Sequence, residues 1–140
     1  MTNQATLTSQ NRPRHQAEEP SRPRPRPFTR DDFALRMRRA AQQAADAGLA
    51  DAQYAVSQFL ANGTGGVAFD ETKAREWLEK AARQNYDTAM LDYASWLIDG
   101  IGGKKDYETG FLWMKRAAEG GNVAAQRQLA RLYENGIGVK

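Results

Sequence analysis

Few residues in this 140-residue chain are of types that could do chemistry, and the most suggestive group is the loop 100–105, Gly-Ile-Gly-Gly-Lys-Lys. Its amides and lysines could hold a phosphate, but a P-loop carries Gly-Lys-Ser/Thr and follows a strand. Asp106 follows the lysines here, and a helical pattern precedes the loop. A similar loop at 62–66 has no lysine at all. The loop is therefore predicted to be a structural turn.

Other kinds of catalytic chemistry lack the residues they need. The chain has no cysteine and one histidine, His15, which excludes disulfides, thiolate metal ligands, cysteine nucleophiles and Ser/His triads. His15 is expected to be a solvated side chain of the N-terminal segment. Carboxylates are plentiful, but none are paired by position for acid–base work. The sequence therefore predicts no catalytic residue, no metal site and no cofactor, and a protein that is not an enzyme.

The three tryptophans Trp77, Trp96 and Trp113 could form an aromatic platform on which a ligand stacks. Trp77 and Trp113 are 36 residues apart, however, and this spacing is one of several in the chain. Residues that recur at one place of a repeat usually serve the packing between its elements. We therefore predict that the tryptophans belong to the core.

The elements that position these residues repeat along the chain. The steps are 37 and 36 residues for the pairs Ala44-Ala45, Ala81-Ala82 and Ala117-Ala118, and for the Gly-x-Gly loops after Asn62, Asp99 and Asn135. Periods of this length are typical of solenoids, in which stacked units share one continuous core. The sequence predicts a half repeat at 31–46, repeats at about 47–83 and 84–119, and a truncated repeat at 120–140.

Each unit reads as two helices, because apolar residues recur at helical spacing. First helices are predicted at 50–61, 87–98 and 123–134, and second helices at 71–83 and 107–119. Asp70 and Asp106 are expected to cap the second helices. The segment 31–46 reads as a further second helix, capped near Asp31, with an inward stripe of Phe33, Met37, Ala40, Ala41 and Ala44.

The pattern Ala-Ala-x-x-Gly-x-x-x-Ala, followed by an apolar stripe, Gly-x-Gly, Asp, Trp and Ala-Ala, resembles the Sel-one-like repeats, which are similar to tetratricopeptide repeats. It occurs at 44–52 and 117–125, with Asn85 in the place of the glycine at 81–89. Gly110 departs from the alanine that the family favours, and Leu60 and Leu97 replace its common tyrosine. The resemblance implies an all-α, right-handed α/α superhelix that scaffolds protein complexes, often in bacterial signalling.

The N-terminal segment has a different composition. All five prolines lie between 13 and 27, and residues 1–30 carry six arginines against two glutamates, whereas residues 31–140 have 14 basic and 15 acidic side chains. We expect residues 1–29 to form a disordered Arg/Pro-rich tail because so few apolar residues cannot offset the entropy of ordering. Three interpretations stay open: a solvated tail, an arm attracted to nucleic acid or a membrane surface, and a Pro-rich ligand.

Two kinds of sequence signal bear on where the protein is located, namely secretory signals and membrane-spanning stretches, and the resemblance bears on its partners. Residues 1–28 contain no apolar h-region of a secretory signal, and the mean hydropathy of −0.75 leaves no stretch apolar enough to span a bilayer. We expect a cytoplasmic protein that binds a protein or peptide partner. Six recurring positions on the first helices are expected to line its groove: Tyr54, Gln58, Leu91, Ser95, Arg127 and Arg131.

The last unit stops after its Gly-x-Gly loop, without the Asp-capped second helix that follows in the others. We expect either a fragment of a longer protein or an apolar face left for another contact. The second alternative predicts that this end of the solenoid is an interface for self-association or for a partner, and under both alternatives we expect that the chain is not a well-behaved monomer.

Overall fold

The computed structural model describes residues 20–138, which form an all-α solenoid without strands in that part of the chain. The six helices are α1 Arg30–Asp46, α2 Ala50–Asn62, α3 Glu71–Arg83, α4 Asp87–Asp99, α5 Tyr107–Glu119 and α6 Val123–Asn135. Consecutive helices pack against each other in chain order. This confirms the predicted fold class and places the helices within a residue or so of their predicted bounds.

The predicted tail is only partly described. Residues 1–19 lie outside the described residues, whereas residues 20–29 are exposed and carry no helix. The end of this segment contacts α1: Arg26 forms an ion pair with Asp32, and the Phe28 ring lies 4.7 Å from the Arg36 guanidinium carbon. The chain therefore enters the solenoid along the first turns of α1.

The second helices begin at side-chain caps. Asp70 Oδ1 accepts a hydrogen bond from the Lys73 amide at 3.0 Å, and Asp106 Oδ1 accepts one from Thr109 at 3.1 Å, as predicted. α1 differs, because it starts one residue before the expected cap Asp31. Thr29 is its N-cap, and Asp32 accepts from the Thr29 amide while donating its own amide to Thr29 Oγ1. This capping box satisfies two backbone donors, which a cap at Asp31 would not.

The Gly-x-Gly loops end the first helices and bring them against the preceding second helix. Gly63, Gly100 and Gly136 cap α2, α4 and α6 with φ between 64° and 74°, a left-handed conformation. The second glycine makes a close approach: a Cβ on Gly102 would lie 2.4 Å from the Glu71 carbonyl oxygen of α3. Any side chain there would push the loop off the helix, so the motif sets the spacing between neighbouring units.

Two clusters of buried residues form the core. The first joins Ala45 of α1 to Val56 and Leu60 of α2 and Ala74 of α3, and the second runs from Leu78 of α3 to α6. Trp96 packs against both clusters, Trp77 against the first and Trp113 against the second. The three tryptophans therefore serve inter-helix packing, as their spacing predicts.

The predicted inward stripe of α1 is only partly correct. Ala41 and Ala44 are half-buried, whereas Phe33 is 57% exposed, Met37 is 45% exposed and Ala40 is exposed as well. At the places equivalent to Met37 and Ala41, Ala74 and Leu78 of α3 are fully buried. In the described chain α1 packs chiefly against α2, the helix that follows it. No other described helix covers the remaining half of its apolar stripe.

Candidate binding groove

The six predicted groove residues lie at matching places on the three first helices. Tyr54, Gln58, Leu91 and Ser95 of α2 and α4 are half-buried, whereas Arg127 and Arg131 of α6 are exposed. The structure brings Tyr54 and Gln58 into one pocket. Leu91 packs against the second core cluster, and Ser95 and the two arginines do not line that pocket. The prediction that all six form one groove stays a prediction.

The pocket is a shallow depression of about 440 Å³ at the α2 end of the row. Its lining combines three aromatic rings with short polar side chains: Asp51, Tyr54, Ala55, Gln58, Phe59, Asn62, Thr64 and Tyr86. The volume is within the range of sites that take small ligands or a few side chains. Its one charged lining residue is Asp51. The pocket therefore suits an amphipathic group more than an anion.

Tyr54 ties the pocket to the next repeat. Its hydroxyl donates a hydrogen bond to Asp92 Oδ2 of α4 at 2.8 Å, and its ring lies 5.4 Å from that of Tyr86, tilted by 44°. These contacts join α2, the turn before α4, and α4 itself. The tyrosine is thus held in one orientation, with a ring face towards Tyr86 and its hydroxyl on a carboxylate.

Burial shifts the acidity of this pair. It raises the pKa of the Asp92 carboxyl, which the hydrogen bond from Tyr54 lowers in part. Burial also raises the pKa of the Tyr54 hydroxyl, as do the hydrogen bond to Asp92 and its charge. Asp92 makes no ion pair with another described residue. An unpaired, half-buried carboxylate is electrostatically costly, and a cation beside it would relieve that cost.

Several residues of this site were not predicted to be functional, among them Asp92, Tyr86 and Phe59. Asp92 carries no signal in the period, because alanine and glutamine stand at its equivalents Ala55 and Gln128. Tyr86 likewise has Leu49 and Asn122 as equivalents. Phe59 lies at an apolar helical position of α2, which by itself indicates packing, although it also lines the pocket. A search for positions at which the repeats differ, instead of positions at which they agree, could have identified Asp92 and Tyr86.

A second depression of about 440 Å³ lies on α5, lined by Thr109, Leu112, Trp113, Lys115, Arg116 and Glu119. All of these residues belong to one helix, so the depression is a space between the side chains of its surface. No second element contributes to it. It is therefore a weaker candidate than the pocket that α2 shares with the turn before α4.

The glycine-rich loop with lysines is held by structure rather than by a ligand. Arg75 of α3 donates hydrogen bonds to the carbonyl oxygens of Lys104 at 3.0 Å and Ile101 at 3.3 Å. Arg38 of α1 makes the equivalent contact with Gly65 at 3.0 Å. The loop therefore follows the same plan as the lysine-free loop of the preceding unit, as a structural turn should.

Between residues 20 and 138 no three His, Cys, Asp or Glu side chains come together in a way that could hold a metal ion. Among the helices described, none is long and apolar enough to cross a membrane.

A family model for the Sel1 repeat matches residues 50–86, 88–122 and 123–140, which is most of the solenoid. The chain belongs to the Sel1 repeat family. The match agrees with the helix pairs and with the αL residues that precede each first helix: Gly48, Asn85 and Gly121 all have positive φ. Proteins built from Sel1 repeats generally act as non-catalytic scaffolds for protein interactions.

Solved and curated relatives agree with this assignment. A Sel1 repeat protein from Oxalobacter formigenes superposes with a TM-score of 0.74 at 30% identity over 81% of this chain and 45% of its own. The protective antigen c5321 of uropathogenic Escherichia coli, described as having an SLR fold, gives a TM-score of 0.69 at 28% identity over 76% of this chain and 26% of its own.

Two curated proteins match by sequence. The Sel1-repeat-containing protein YjcO of Escherichia coli K12 is 34% identical over 71% of this chain, and chitin synthase regulatory factor 3 of Schizosaccharomyces pombe is 32% identical over 70% of it. The chain spans 44% of the length of the first and 11% of the second. These proteins share the repeat module, and their whole lengths contain more than this chain matches.

Proposed function

We propose that this protein is a non-catalytic scaffold of bacterial signalling or regulatory complexes in the cytoplasm, and that its row of first helices binds a segment of a partner protein. The observation that carries the proposal is the pocket between α2 and the turn before α4, which presents Gln58 beside three aromatic rings, those of Tyr54, Phe59 and Tyr86. Concave, mostly apolar sites with a few oriented polar groups are where proteins receive ligands and partner side chains.

The test uses substitutions in the groove. The full chain serves as bait for partners from bacterial lysate, and Leu91→Asp and Arg127→Glu variants are compared with it by quantitative mass spectrometry. Both variants should lose the same partner while their helical circular dichroism is unchanged. Leu112→Asp is the matched control, because Leu112 is 62% exposed on α5 and should retain the partner. Retention by both groove variants would show that the groove assignment is wrong.

A second candidate function is a nucleic-acid- or membrane-surface-associated adaptor tethered by the Arg/Pro tail. The favouring observation is a basic end of the solenoid, where arginines of the tail and of α1 are exposed: Arg22, Arg24, Arg26, Arg30, Arg36 and Arg39. Phosphate contacts made by arginine weaken steeply with salt. Binding of duplex DNA and of anionic vesicles should therefore fall between 50 and 300 mM salt and should be weakened by Arg22→Ser/Arg24→Ser. Salt-independent binding would contradict this function.

Self-association through α6 is a further proposal. Ala130 is exposed, whereas its equivalents Ser57 and Ala94 are 0% exposed beneath a second helix. Tyr133, at the place of the buried Leu60 and Leu97, is exposed too. Analytical ultracentrifugation should show association of this chain at high micromolar concentration, and Ala130→Arg should abolish it. A clean monomer at that concentration would contradict the proposal.

A further inference from the structure

The pocket beside Tyr54 has the chemistry of a site for a cation. Tyr54 and Tyr86 contribute two tilted aromatic rings to the lining, with their centroids 5.4 Å apart, and the outer faces of such rings attract a guanidinium or ammonium group. Asp51 places a carboxylate in the lining, and Asp92 places another at 2.8 Å from the Tyr54 hydroxyl. No lysine or arginine lines the pocket. Aromatic faces and negative charge thus meet in one place without a cation of the described chain among them.

The state of Asp92 strengthens this interpretation. The carboxylate is half-buried, and its one hydrogen bond from a side chain of residues 20–138 comes from a neutral hydroxyl. An approaching guanidinium could give Asp92 a charge-assisted hydrogen bond while its plane stacks on a tyrosine ring. An apolar side chain in the same place would cover the carboxylate further and raise the cost of its charge. The pocket therefore discriminates in favour of a cationic side chain.

We propose that the pocket lined by Tyr54, Tyr86 and Asp51, with Asp92 beside it at the Tyr54 hydroxyl, receives an arginine side chain of the segment that the groove binds. The inference rests on the proposed function, since it names the chemistry of that partner at one position. The occupant is a partner protein with an exposed arginine, because the planar guanidinium can lie flat on a ring while it donates two hydrogen bonds to a carboxylate, a geometry that an ammonium ion does not have.

The direct test needs no identified partner. The full chain, labelled with ¹⁵N, is titrated with N-acetyl-arginine methylamide and with the citrulline analogue, which has the same shape without the charge. The arginine probe should shift the amide resonances around Tyr54, Gln58 and Tyr86, and citrulline should bind at least fivefold more weakly. Equal binding of the two probes, or shifts confined to other surfaces, would overturn the inference.

Variants locate the charge that matters. Asp92→Asn keeps an oxygen that accepts from Tyr54 but removes the charge, so arginine binding should weaken at least fivefold and citrulline binding should be unchanged. Asp99→Asn, an exposed position at the end of the same helix, is the matched control and should bind as the unmodified chain does. Tyr86→Leu should also weaken arginine binding. Unaltered binding in both Asp92→Asn and Tyr86→Leu would contradict the site.

The lysate experiment separates this inference from the proposed function. If Leu91→Asp loses the partner while Asp92→Asn and Tyr86→Leu retain it, the groove binds a partner without using the arginine pocket, and the inference is overturned. If the groove variants retain the partner but the arginine probe binds at Tyr54 and is lost in Asp92→Asn, the pocket is supported and the proposed function is wrong.

Discussion

Gly110 and Ile98 together make a contact that the preceding repeat makes with two alanines. Gly110 of α5 is buried against α4, and a Cβ there would lie 2.7 Å from Ile98 Cγ1 and 3.1 Å from the Ala94 carbonyl oxygen. At the equivalent places, Ala74 is fully buried and Ala61 packs against the cluster around it. The larger residue on α4 is thus matched by the smaller one on α5. This explains why Gly110 departs from the family pattern.

The pair should show strong coupling in a double-mutant cycle. Gly110→Ala should lower the free energy of unfolding by up to about 2 kcal/mol, since overpacking outweighs the gain in helix propensity. Ile98→Ala alone should cost about 1–3 kcal/mol. The double variant restores the alanine pair and should cost at least about 1 kcal/mol less than the sum.

Urea unfolding of the four proteins measures this coupling. Gly120→Ala is the control, because Gly120 has φ −75° and an added Cβ would meet nothing closer than 3.5 Å. That change should be neutral or slightly stabilising. Additive costs for Gly110→Ala and Ile98→Ala would mean that the two residues do not compensate each other.

Asp32 should titrate far below an ordinary aspartate. Hydrogen bonding from the Thr29 amide, and then from Arg26, lowers its pKa from 3.8 to about 2. Because the folded pKa is lower than the unfolded one, this carboxylate stabilises α1 above about pH 4, and the stabilisation is lost as the pH falls towards 2. A ¹³C carboxyl titration should give this pKa directly.

The Arg26→Ala variant tests the causes of the shift. Its Asp32 pKa should rise but stay below 3.8, because the Thr29 amide still donates to the carboxylate. A value of 3.8 in the variant would mean that the ion pair alone produces the shift, and an unchanged value would mean that Arg26 contributes nothing.

Among the elements, α1 and α3 are the same kind of helix in different surroundings. Leu78 of α3 is fully buried, and its equivalent Ala41 of α1 is only partly covered. Phe33 and Met37 give α1 an apolar stripe that stays largely exposed in the described chain. The same helical pattern therefore predicts where a residue points but gives no information on whether a neighbouring helix covers it.

Substitutions should distinguish the two helices. Phe33→Ser and Met37→Gln should each change the free energy of unfolding by less than about 1 kcal/mol, since little surface leaves water there on folding. Leu78→Ala should cost about 2–5 kcal/mol, because it leaves a cavity between packed helices. Thermal and urea melts provide both values. A cost above about 2 kcal/mol for Phe33→Ser would show that another segment covers the stripe in solution.

The local features of the fold could be predicted because the first helices and their glycine loops recur three times and the Asp-capped second helices twice. Helix bounds, the Asp70 and Asp106 caps and the αL residue Asn85 all follow from the type of residue at a recurring place. The cap of α1 was missed, since Thr29 and Asp31 are both acceptable caps and the choice depends on the reciprocal bond of Asp32. Of the residues that line the pocket, Tyr54 and Gln58 are among the predicted groove residues, and that groove stays a prediction. Tyr86, which also lines the pocket, and Asp92, which contacts Tyr54, were not predicted because each differs in type from the residues at the equivalent places of the other repeats.

On the scale of the whole molecule, each helix depends on its neighbours in the row. Such arrays gain stability from the interfaces between adjacent units, so cooperativity needs strong contacts at every interface. The two core clusters meet at α3, which contributes Ala74 to one and Leu78 to the other. Trp96 is the large side chain that packs against both. It is therefore the residue most able to couple the two halves of the solenoid.

Trp96→Ala should uncouple the halves, whereas Trp96→Phe should preserve most of the coupling because it keeps a ring at the junction. Both halves contain a reporter, since Trp77 packs in the first cluster and Trp113 in the second. In each Trp96 variant, either Trp77 or Trp113 is also replaced by phenylalanine. The fluorescence of the remaining tryptophan then follows one half of the solenoid during urea unfolding. In the Trp96→Phe variant, the urea midpoints reported by the two tryptophans should coincide, as expected for one cooperative unit. With alanine, the total stability should fall by about 2–4 kcal/mol and the midpoints should separate. Coincident midpoints in the alanine variant would show that α3 alone transmits the coupling between the halves.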